Sequence, residues 1–137
     1  MNVKDLIDFL SQNNEISAKA VNEIIMNYML NKNHHENIYK IVSGLSYLTG
    51  DFQIETDNDN IKASLFWVAV FIKDLSLIKL LLNRSDSSNF INATGTFKDE
   101  NLLNVTPLSV ACQNNPNFNI VITLLKNKAQ LFINEAH

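Results

Sequence analysis

The residues with the most chemical potential are few and scattered. His34-His35-Glu36 groups two imidazoles and a carboxylate, the donors a transition metal takes. Neighbours on a helix point about 100° apart, however, and no third or fourth ligand follows at a usable spacing. Cys112 is the lone cysteine, a thiol that could act as nucleophile or metal ligand. No motif pairs it with a histidine or an aspartate, and a buried structural role beside Ala111 is expected. Glu55, Asp57 and Asp59 alternate as in a calcium loop. Such a loop needs glycine at its sixth position and glutamate at its twelfth. Counting from Glu55 gives Asn60 and Phe66; counting from Asp57 gives Lys62 and Val68. The pattern fails, and a solvated acidic loop is the reading. The glycines stand at 44, 50 and 95, so no phosphate-cradling or nucleophile-elbow motif can be built. The expectation is no enzyme, no metal and no cofactor.

The chain that must position any site has 137 residues, enough for one domain with a real core. Its net charge of −3 argues against a nucleic-acid partner. A single cysteine excludes an internal disulfide and suits a cytoplasmic setting. The run Ala63–Ile72, "ASLFWVAVFI", is too short to span a bilayer and reads as a buried helix. The start carries acids early and no long apolar stretch, unlike a secretory signal.

Periodicity predicts helix after helix. Val3, Leu6, Ile7 and Leu10 form one stripe, and Val21, Ile24, Ile25, Tyr28 and Met29 a second over about 17–31, capped by Ser17. Ile38, Ile41, Val42, Leu45 and Leu48 form a third, with Gly50 at its left-handed C-terminal position. Residues 51–63 read as an acidic loop. Further helices begin at Ser64 and near Leu77, then again at Thr106 and Asn119, with Pro116 breaking the last pair. No long strand stands out, so the expected fold class is all-α.

The two later helix pairs match. Ser64 and Thr106 lie 42 residues apart, and both open a run of cap, apolar residues and a small residue, Ala69 or Ala111. Leu77-Ile78 corresponds to Ile120-Val121, and Leu81-Leu82 to Leu124-Leu125, with one extra residue at the second turn around Pro116. Thr106, Pro107, Leu108 and Ala111 fit the signature Thr-Pro-Leu-His-x-Ala of the ankyrin repeat, which this stretch resembles; Ser109 replaces the histidine. At the first copy Ser64, Leu65 and Trp67 stand at the Thr, Pro and His positions. The family's unit is about 33 residues, so nine extra ones are expected in the connection, mostly in 85–105.

The resemblance implies a short ankyrin-like helical repeat stack: a cap or degenerate repeat over 1–50, a repeat over 64–84, a long insert over 85–105 and a repeat over 106–134. It also implies a non-catalytic protein-interaction module binding through a concave face and inter-repeat turns, 71–75, 92–105 and 113–118. The expected partner-binding residues are Trp67, Phe71, Ile72, Phe97, Gln113 and Asn114, with Phe97 an anchor at a loop tip. Richness in Asn, Ile, Leu and Lys suggests an AT-rich source, and together with that source the ankyrin resemblance implies a bacterial effector acting on a host protein. The alternatives are a regulatory or structural domain of a larger protein, or a small enzyme or metal-binding protein using His34, His35 or Cys112. Ile122 points away from the face of Ile120, Val121, Leu124 and Leu125, and Leu131, Phe132 and Ile133 follow. A terminal repeat should be polar outside, so this end is expected to continue, or to meet a partner or another copy.

Overall fold

A computed structural model describes residues 50–56, 58–84, 87–113 and 115–130. The helices expected over 1–49, His34-His35-Glu36, Asp57, Asn114 and Leu131–Ile133 lie outside the described residues.

The all-α expectation is overturned. The described residues run β1 (Gln53–Glu55), β2 (Ile61–Ser64), α1 (Leu65–Phe71), α2 (Leu75–Arg84), β3 (Gly95–Phe97), β4 (Leu102–Val105), α3 (Pro107–Ala111) and α4 (Phe118–Lys126). The four strands form one antiparallel sheet in chain order. The architecture is mixed α/β and not a helical solenoid. The acidic loop of 51–63 and the insert of 85–105 are where the strands lie.

Local chemistry explains both strands and turns. In β1, buried Ile54 stands between exposed Gln53 and Glu55; in β2, exposed Lys62 stands between buried Ile61 and Ala63. This is the period-two alternation of a half-buried strand, compressed into three residues. The acidic and Asn-rich residues between strands make the turns. Asp59 (φ 58°) and Asn101 (φ 57°) take the left-handed conformation that Asp and Asn tolerate best. The two turns are joined by Asn60. Its carbonyl accepts from Lys98 N–H at 2.8 Å, its Oδ1 accepts from Asp99 N–H at 3.0 Å, and its Nδ2 donates to Asp99 Oδ2 at 3.1 Å. At β4 the pairing slips between Gly95 and Phe97, and Asn104 is left-handed at φ 51°. Asn104 N–H donates to Thr96 Oγ1 at 3.0 Å.

The two helix pairs share their local geometry, but each follows a strand pair that the helical-repeat expectation lacked. Ser64 (φ −75°, ψ 160°) caps α1 by accepting from Trp67 N–H at 3.0 Å. Thr106 (φ −75°, ψ 158°) caps α3 by accepting from Ser109 N–H at 3.2 Å, with Pro107 at the first helical position. The left-handed residues Lys73 (φ 62°) and Asn115 (φ 55°) then turn the chain. Asp74 Oδ1 accepts from Leu77 N–H at 3.0 Å, and Asn117 Oδ1 from Ile120 N–H at 3.3 Å, to start the second helices. Each unit is strand, strand, helix, helix, and β1 and β3 keep the separation of Ser64 and Thr106. The supposed insert is thus the hairpin of the second unit, matched by one in the first.

The core centres on α1. Leu65 through Val70 are buried, which accounts for the unbroken apolar run. The helix packs on β1, β2, α2 and α3. Its first free amides are satisfied from outside: Leu65 N–H donates to Phe52 O at 2.7 Å and Phe66 N–H to Gly50 O at 2.9 Å. Gly50 is not the left-handed cap expected, since no described glycine has positive φ. A Cβ there would meet the Phe90 ring at 2.7 Å, and Phe90 packs on Phe66 at 4.9 Å between ring centroids.

The two second-helix caps differ by one atom type, with a consequence for pH. Burial pushes the Asp74 carboxyl above its ordinary range, against N–H bonds from Leu77 and Ser76 that lower it, and Oδ2 is buried without a partner. A carboxyl raised in the folded state contributes stability in acid that is lost as pH rises through the folded value. Asp74→Asn, copying Asn117, should keep the cap and flatten this dependence. Denaturant unfolding in neutral and acidic buffer should show a gain below about 1 kcal/mol at neutral pH, since the half-buried side chain is partly screened. A loss at neutral pH would contradict it.

Candidate interaction surface

The aromatic residues expected to meet a partner come together, but inward. Trp67 is fully buried, and its Nε1–H donates to Val105 O at 3.0 Å. Phe71 stacks on it, with centroids 5.8 Å apart and planes 8° from parallel. Phe97 closes on Phe71 at 5.2 Å and is buried at the end of β3, not at a loop tip. Phe71 and Ile72 are half-buried and packed against the core. Three of the six expected residues, Trp67, Phe71 and Phe97, therefore tie α1 to the sheet. Gln113 is exposed just past α3. Cys112, expected to be buried, ends α3 exposed: the helix stops there, and the side chain leaves the face that Ala111 buries.

The apolar surface lies elsewhere, on α4. Phe118, Ile122 and Leu125 are 75%, 46% and 54% exposed. Spaced i, i+4, i+7, they form one stripe, while Ile120 and Leu124 anchor the other side of the helix in the core. Leu125, read as a core residue from its pairing with Leu124, belongs to the outer stripe. Phe118 gave the same signal through its spacing from Ile122. In α2 the corresponding positions are half-buried Leu75, exposed Lys79 and half-buried Leu82. The first unit thus carries a charge where the second carries Ile122. From Leu102 to Leu125 the chain has no Asp, Glu, Lys or Arg. Asn117 fixes the start of α4, its Oδ1 accepting from Asn119 and Ile120 N–H at 2.9 and 3.3 Å. Asn127 Nδ2 donates to Thr123 O at 2.8 Å at the other end. The stripe is therefore carried on a helix fixed at both ends.

Among the described residues, no three His, Cys, Asp or Glu side chains gather to hold a metal, and no helix is long and apolar enough to cross a membrane. Compared with known proteins, the chain matches no family model, no curated protein and no solved structure.

Proposed function

We propose that this chain is a non-catalytic protein-interaction module that binds through the outer face of α4. The observation carrying this reading is the stripe Phe118, Ile122 and Leu125: large apolar side chains left in water on a capped helix. Apolar residues clustered on one exposed face mark interaction surfaces more than isolated ones do. Charge stands at the margins of the stripe, on Lys126 after Leu125 and on Lys73, whose Nζ donates to Asn115 O at 2.9 Å, and charged residues are depleted at the centre of a protein interface. Gln113 and Asn115 border the same face in sequence and supply polar rim groups. A cytoplasmic setting belongs to this reading, supported by the single Cys112.

The test is affinity capture with wild type and with Ile122→Lys, which installs the residue α2 carries at that place. A protein held by wild type and released by the variant, at equal melting temperature, supports the reading. Identical capture by the two rejects it.

A further inference from the structure

We draw no further inference here: the strongest candidate, the apolar stripe of Phe118, Ile122 and Leu125 on the outer face of α4, carries nothing beyond the reading above, because nothing in the structure shows what covers it.

Discussion

Trp67→Ala should destabilise the fold by about 3–5 kcal/mol, the range for truncating a large buried aromatic. Three losses combine. The indole is fully buried against the core, so its removal leaves a cavity. Phe71 loses the ring stacked on it and Phe97 loses that support. The half-buried Val105 carbonyl loses its indole donor, and with it a hydrogen bond of about 0.5–1.5 kcal/mol. The terms overlap and do not add. Urea unfolding followed by circular dichroism measures the change, since Trp67 is the only tryptophan and its fluorescence disappears with it. A loss below about 1 kcal/mol would show that the cluster does not hold α1 to the sheet. Any effect of this variant on binding would then report folding, because Trp67 offers no surface to a partner.

Gly95→Ala should cost about 1–3 kcal/mol, although alanine ordinarily suits a strand at least as well as glycine. Gly95 has an ordinary negative φ, so backbone freedom is not the reason. A Cβ there would stand 2.7 Å from three atoms of the Trp67 ring. The ring cannot step aside: Phe71 stacks on it and Val105 holds its Nε1–H. Either the indole tilts and its hydrogen bond breaks, or β3 shifts off β2. Tryptophan fluorescence separates the two, a red shift marking the tilted ring. The decisive measurement is a cycle with Trp67→Leu. The alanine at 95 should be markedly less costly beside the smaller side chain, and equal costs in both backgrounds would place the strain elsewhere.

Among the described residues helix chemistry was legible, and strand chemistry was not. Ser64 and Thr106 announced caps that the structure builds with almost the same backbone angles, and the extra residue near Pro116 is the longer turn between α3 and α4. These signals are local: a hydroxyl, a proline and a small residue at fixed offsets. The strands have three or four residues each, too short for a period-two pattern to separate from chance. Their sense comes from pairing across the two units, as in Ile61 with Phe97. The same limit misplaced Phe97, which its polar neighbours Lys98, Asp99 and Glu100 made look exposed. Ile122 was readable as an outlier, but its membership in a stripe depended on Leu125 facing outward. That is set by how α4 leans on α3, which no spacing within α4 reveals.

The irregularity of β4 bears on how copies of this chain can accumulate. A straight, exposed strand at the end of a sheet invites another strand, and each addition offers the next the same invitation. Here the terminal strand slips register and turns left-handed at Asn104, beside exposed Leu103. Such a bent edge is a poor template for ribbon growth. The bend thereby makes one of the two edges of this sheet a poor seed for fibres, a colloidal property lodged in one asparagine's backbone.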